Sequence, residues 1–226
     1  MPAFSRSAVL ILAVLASCTL PAQRRGALVS STPADLARKY DLVDLRQVAP
    51  DVRIDLRYAS KDNVARRRLY PARMPCLLRR ATAEKLKRAQ AALAAQGYGI
   101  RVWDAYRPPE VQVILHHHAR DTGLFLSPEN GWSRHCGGVC VDATMVDRHG
   151  NEVRMPTWFD ENLERASSRG VDADPEVRRN LAIFHLAMRK AGFVPLPSEW
   201  WHFDDADFLY HPQPVIFSRQ LGIQVL

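Results

Sequence analysis

Two short segments, far apart in the chain, carry complementary chemistry: Ser133-Arg-His-Cys-Gly-Gly-Val-Cys-Val-Asp142 and Glu199-Trp-Trp-His202. Between them they offer two imidazoles, His135 and His202, one short carboxylate, Asp142, and one longer carboxylate, Glu199. Those are the parts of a hydrolytic zinc site: three protein ligands, a fourth position left to water, and a base beside it. If one ion uses them all, the fold must bring the two segments side by side. No other feature of the sequence restricts the topology as much.

Each segment has a local conformation that would allow this. A turn through Gly137-Gly138 lets His135 lie over a strand entered at about Gly138, and within that strand Cys140, Asp142 and Thr144 share one face by period two. Glu199 and His202, three apart, would point to opposite faces of a straight strand. Both reach one ion only at a strand entrance or bend, which Pro195 and Pro197 favour. Taken singly, each segment has a plainer reading: a buried Asp–Arg pair with a core His, and an aromatic strand with incidental polar residues.

The remaining chain reads as an α+β domain, a small, mostly antiparallel sheet flanked by two or three helices. Val43–Val48 and Ile54–Tyr58 alternate as half-buried strands do. Ala81–Gln96 has a 3.6-residue apolar period and stops at Gly97. Tyr98–Trp103 is an apolar strand, and the prolines after Arg107 start a helix running to about Thr122. Gly138–Val146 reads as a buried strand, with Asp147–Gly150 as a hairpin turn and Asn151–Met155 as the return. Asp174-Pro175 starts a helix that Gly192 closes, and Trp200–Phe203 forms a last strand.

The N-terminus resembles an export signal. Arg6 precedes the apolar run Ala8–Ala16, and Leu15-Ala-Ser-Cys18 resembles the lipobox of bacterial lipoproteins, in which the Cys becomes the lipidated first residue. The expected organisation is a signal peptide over 1–17, a tether over 18–40 and one catalytic domain over 41–226. The protein is then exported to the periplasm or cell envelope and anchored to the membrane through Cys18. An ordinary secretory signal cut near Ala22 is the alternative. The 31 basic and 24 acidic side chains give +7, and removal of Arg6 with the signal leaves +6. The arginines are scattered without interleaved aromatics, so no nucleic-acid partner is expected. Beyond Cys18 three cysteines remain. Cys136 and Cys140 lie too far apart in an extended chain to bridge each other, at about 3.3 Å per residue. A bridge from Cys76 to either remains open in an oxidising compartment.

His135-x6-Asp142 and Glu199-Trp-Trp-His202 resemble the signature of the VanX-type D-alanyl-D-alanine dipeptidases, zinc enzymes of the wider D-Ala-D-Ala carboxypeptidase and hedgehog-like group. The resemblance runs from about Asp41 to Asp205. It includes Asp55–Asn63, Gln96–Pro108 and Met155–Asp160. It implies one Zn²⁺ held by His135, Asp142 and His202, Glu199 as catalytic acid/base, and Arg107 steadying the oxyanion. It also implies that Tyr58 and Asp160 line the pocket for the amino end of a small D,D-dipeptide from the cell wall. Cys136-Gly137-Gly138 departs from the pattern after the first His, and Arg134 departs before it, which bears on the pocket rim.

These roles have a physical basis. Zinc on two imidazoles and a carboxylate keeps an open position and lowers the pKa of water to about 7. A carboxylate acid/base moves the proton to the leaving amine. Asp160 has the right sign for a free ammonium. The run His116-His117-His118 cannot share one ion on a helix, where neighbours diverge by about 100°. His149 and His211 read as turn and tail residues. Two other functions fit the same residues: a carboxypeptidase or endopeptidase on larger peptidoglycan peptides, and a non-catalytic zinc-stabilised lipoprotein of the envelope.

Overall fold

The computed structural model describes residues 32–161, 163–168, 174–211 and 213–225. The apolar run, Cys18 and the first part of the expected tether lie outside the described residues. The last part of that tether is folded. Thr32 caps a short helix, α1 (Pro33–Ala37), through a reciprocal capping box with Asp35, and Ala37 is buried in the core.

A five-stranded sheet in the order β2-β4-β5-β7-β6 organises the domain. Its strands are β2 (Arg53–Ile54), β4 (Tyr98–Asp104), β5 (Cys140–Asp147), β6 (Phe193–Pro195) and β7 (His202–Asp205). Only the β2–β4 pair is parallel. A separate antiparallel pair joins β1 (Leu42–Asp44) to β3 (Leu77–Arg79). The α+β reading with a mostly antiparallel sheet is therefore what the chain adopts.

Period-two alternation divides the central sheet into two faces. Val141 pairs with Phe203 and shares its face with Ala143 and Met145, all fully buried. Helix α5 (Pro175–Ala191) packs there, with Phe184 5.1 Å from Phe203 in an edge-to-face contact. Helix α3 (Arg80–Ala94) lies against α5 and β4, burying Leu86, Ala89 and Leu93. Each such large apolar side chain contributes about 1.5–3 kcal/mol by leaving water. The cap of α5 is as its sequence reads: Asp174 accepts from the Glu176 amide, and Gly192 ends the helix at φ 102°. The opposite face of β5 and β7 carries Cys140, Asp142, Thr144, His202 and Asp204.

Three local expectations need correction. Val43–Val48 is not one strand: the Asp44 carboxylate accepts from the Arg46 amide at 3.0 Å and starts a helical turn, α2 (Leu45–Val48). Ile54–Tyr58 breaks after β2 into a 3₁₀ turn, Arg57–Ala59. The return strand after Asp147–Gly150 shrinks to one bridge, Val146 to Glu152. No disulfide joins Cys76 to either partner; Cys76, Cys136 and Cys140 are buried free thiols.

Candidate active site

The site forms where β4, β5 and β7 lie side by side. Asp142 pairs with Asp104 on one flank and with His202 on the other, which sets three polar side chains in a row across the sheet. A register shift between Val102 and Asp104 brings Asp104 into that row. His135 reaches the row from outside the sheet. It sits in a 3₁₀ turn, Arg134–Gly137, capped by Ser133, and Gly138 reverses the chain into β5 at φ 70°. A Cβ at Gly138 would meet Leu42 Cδ2 at 2.5 Å, so both the backbone and the packing call for glycine.

Three donor groups converge. His135 Nε2 lies 3.3 Å from His202 Nδ1 and 3.2 Å from Asp142 Oδ2, and His202 Nδ1 lies 2.9 Å from Asp142 Oδ1. Ligands about 2.0–2.1 Å from a tetrahedral ion sit about 3.3 Å apart, so the spacing of the two imidazole nitrogens, with one Asp142 oxygen beside each, is of the size zinc needs. The far ring nitrogens orient it. His135 Nδ1–H donates to the Ala105 carbonyl at 2.7 Å, and His202 Nε2–H donates to Asp204 Oδ1 at 3.1 Å. Each bond leaves the opposite nitrogen's lone pair facing the centre. All three residues are buried.

Glu199 occupies the bend before β7. Its amide donates to the Leu196 carbonyl at 3.3 Å, and its own carbonyl accepts from the His202 amide at 3.2 Å. That turn resolves the three-residue spacing, because Glu199 and His202 now face the same centre, and Asp142, Glu199 and His202 offer ligand atoms within 4.8 Å of one another. Burial raises the Glu199 carboxyl to about 7.

Arg107 is also buried at the site. Nε donates to Asp104 Oδ2 at 2.8 Å, Nη1 to Gln112 Oε1 at 2.9 Å and Nη2 to Asp142 Oδ2 at 3.2 Å. Those bonds use three of the five guanidinium N–H groups. The guanidinium also lies over the Tyr58 and Phe125 rings. Tyr58 is fully buried and its hydroxyl donates to Asp160 Oδ2 at 2.8 Å. Asp160 adopts φ 55°, a left-handed conformation that Asp tolerates better than most residues. Burial pushes its carboxyl well above the usual carboxylate range. Phe159 beside it packs on Trp103 and Trp201, so aromatic rings fix the floor beneath Asp160. A cavity of about 310 Å³ is lined by Arg107, His135, Asp142, Asp160, Glu199 and His202, among others. Small-molecule sites are of this size, about 300–1,000 Å³.

The structure thus brings together six of the seven described site candidates at this cavity's wall, with Tyr58 behind Asp160. His116, His117 and His118 end helix α4 (Pro109–His118) and belong to none of the candidate metal-holding groups found among the described residues. Sequence reading missed Asp104, Gln112 and Asp204. The Asp104 carboxylate also accepts from the Tyr70 hydroxyl at 2.7 Å, and Asp204 faces Arg134 Nε at 3.4 Å. A donor set of two imidazoles and a carboxylate, a carboxylate near neutral pKa and a buried guanidinium can bind a divalent ion and hydrolyse a small polar substrate.

Comparison with known proteins agrees with this chemistry. Residues 38–219 match the peptidase M15 family model, described as D-ala-D-ala dipeptidase. The chain is 34% identical over 164 residues to a D-alanyl-D-alanine dipeptidase of Escherichia coli K12, covering 73% of this chain and 84% of that protein. It is 29% identical over 182 residues to one of Synechocystis, covering 62% and 74%. It is 28% identical over 188 residues to one of Enterococcus faecalis, covering 74% and 92%. The chain therefore belongs to the D-Ala-D-Ala dipeptidase family of peptidases.

Proposed function

We propose that this protein hydrolyses the peptide bond of D-alanyl-D-alanine, or of similarly small D,D-dipeptides, with one zinc ion held by His135, Asp142 and His202. The convergence of those three side chains beside Glu199, with the imidazole nitrogens 3.3 Å apart and each 2.9–3.2 Å from an Asp142 oxygen, carries this reading. The ion, when bound, supplies Lewis acidity that makes water acidic and polarises the scissile carbonyl.

The chain's own residues do the rest. Glu199 takes the proton from the attacking water and returns it to the leaving amine, a role suited to a carboxyl near 7. Arg107 faces the negative charge that develops on the carbonyl oxygen. Its guanidinium is already fixed by Asp104, Gln112 and Asp142, so little reorganisation is needed during reaction. Asp160, steadied by the Tyr58 hydroxyl, pairs with the free ammonium of the dipeptide. That ammonium offsets the burial that raises the Asp160 carboxyl above the usual carboxylate range. A blocked amino end brings no such charge, so free dipeptides are preferred over stem peptides.

The N-terminal segment fits export and lipid attachment at Cys18. Several acyl chains, each contributing about 0.8 kcal/mol per buried CH₂, would hold the enzyme at the membrane. Metabolic fatty-acid labelling that is absent in the wild type, or that persists in Cys18→Ala, removes the anchor.

The test of activity is a panel of D,D-, L,D- and L,L-dipeptides, free and N-acetylated, assayed with and without chelator. Chelator-sensitive release of alanine from free D-Ala-D-Ala is expected. Equal cleavage of acetylated substrates would favour the reading in which larger peptidoglycan peptides are cut.

A further inference from the structure

A second set of metal donors shares the same imidazole pair. His135, Cys140 and His202 each offer a ligand atom, all within 4.8 Å of one another. All three are buried. The sheet explains why. Cys140 and Asp142 lie two apart on β5 and so present to one face, and their partners across the ladder are Asp204 and His202. Sulfur therefore stands one step along the strand from the carboxylate, with the imidazoles in reach of both.

The two sets differ in chemical character. Asp142 contributes a hard oxygen and Cys140 a soft, polarisable sulfur, and thiolates prefer softer metals than carboxylates do. An ion with nitrogen ligands at 2.0–2.1 Å and sulfur at 2.3 Å would hold them about 3.5 Å apart in a tetrahedron. Cys140 Sγ lies at most about 1.3 Å from that spacing, which is the scale of a side-chain adjustment.

We propose that Cys140 is an alternative metal ligand, so that His135 and His202 hold a thiophilic ion such as cadmium(II) with the Cys140 sulfur in place of the Asp142 carboxylate. On this switch the thiol S–H bond breaks and its proton passes to solvent. A sulfur–metal bond forms without any change of oxidation state. The inference rests on the reading that these imidazoles bind metal. It adds that the centre can be captured by a soft cation through a ligand that the hydrolytic mechanism does not use.

The experiment is cadmium titration of the metal-free protein, followed by the near-ultraviolet sulfur-to-cadmium charge-transfer absorption and by competition with zinc. The wild type should develop the band at one equivalent. Cys136→Ser and Cys76→Ser should keep it, and Cys140→Ser and Cys140→Ala should lose it. The preference for cadmium over zinc should fall on the order of tenfold in both Cys140 variants, equivalent to about 1.4 kcal/mol. Uptake of both metals without the band, or a band lost with Cys136 or Cys76 instead, overturns the proposal while leaving the hydrolytic centre standing. A wild type that takes up neither zinc nor cadmium overturns both.

Discussion

Asp142 and His202 are direct partners across the β5–β7 ladder, and their side chains meet at 2.9 Å between Oδ1 and Nδ1. The site is therefore held by sheet register. A one-residue slip of β7 would turn His202 to the helix-packed face and bring Phe203 to the cavity. The burial of Phe203 against Phe184 prevents that slip, so the apolar face of β7 secures the polar one.

Glu199→Gln should retain one equivalent of zinc yet lose turnover by about 10²–10⁴-fold, because the amide keeps the shape of the side chain but cannot take a proton. Zinc stoichiometry and single-turnover kinetics on the same preparation check this. Unchanged kcat would remove Glu199 from the mechanism.

Arg107→Lys should lower kcat by about 10²–10³-fold with less effect on KM, since the flexible ammonium cannot reproduce three fixed bonds. Lysine keeps a positive charge beside Asp104 and Asp142, which separates catalysis from loss of fold. A KM effect without a kcat effect would make Arg107 a binding group only.

Asp204→Asn should weaken zinc binding by about 10–100-fold, because Asp204 orients the His202 ring through Nε2–H. Competition with a chromophoric chelator measures it. Equal affinity in the variant would reduce Asp204 to a partner of Arg134.

Asp160→Asn should penalise free dipeptides and leave N-acetylated ones at their wild-type rate. The ratio of kcat/KM for the two substrates reads the effect. An equal loss on both would assign Asp160 to shaping the pocket.

Away from the site, His185 donates from Nε2 to the Trp200 carbonyl at 2.8 Å, and burial lowers its pKa to about 4. The unfolded chain protonates this ring near 6.5, while the folded chain keeps it neutral until about 4. The unfolded state therefore binds more protons within that window, and stability falls as pH drops from about 6.5 to about 4. The full effect is on the order of 3 kcal/mol. Denaturant midpoints across this range should flatten in His185→Gln; an unchanged slope would place the effect elsewhere.

Much of the site was legible in the sequence because it depends on short-range rules. Gly138 marked the reversal that carries His135 over β5, and the bend after Pro197 reconciled Glu199 with His202. Asp104, Gln112 and Asp204 were not legible, since their roles arise from which strands and helices become neighbours. The same holds for β3 and β6, whose three residues are too few for a periodic pattern. Val43–Val48 misled because alternation cannot reveal that Asp44 will cap a turn. Whether Cys76 bridges another cysteine was left open for the same reason: sequence counts thiols, and only the fold, which leaves all three free, decides which of them meet.

The most direct test is anomalous X-ray scattering above and below the zinc edge, on crystals of protein purified without chelator. One peak is expected between His135 Nε2, His202 Nδ1 and the Asp142 carboxylate. A peak elsewhere, or none in protein that cleaves D-Ala-D-Ala, would contradict a zinc centre built from these three residues.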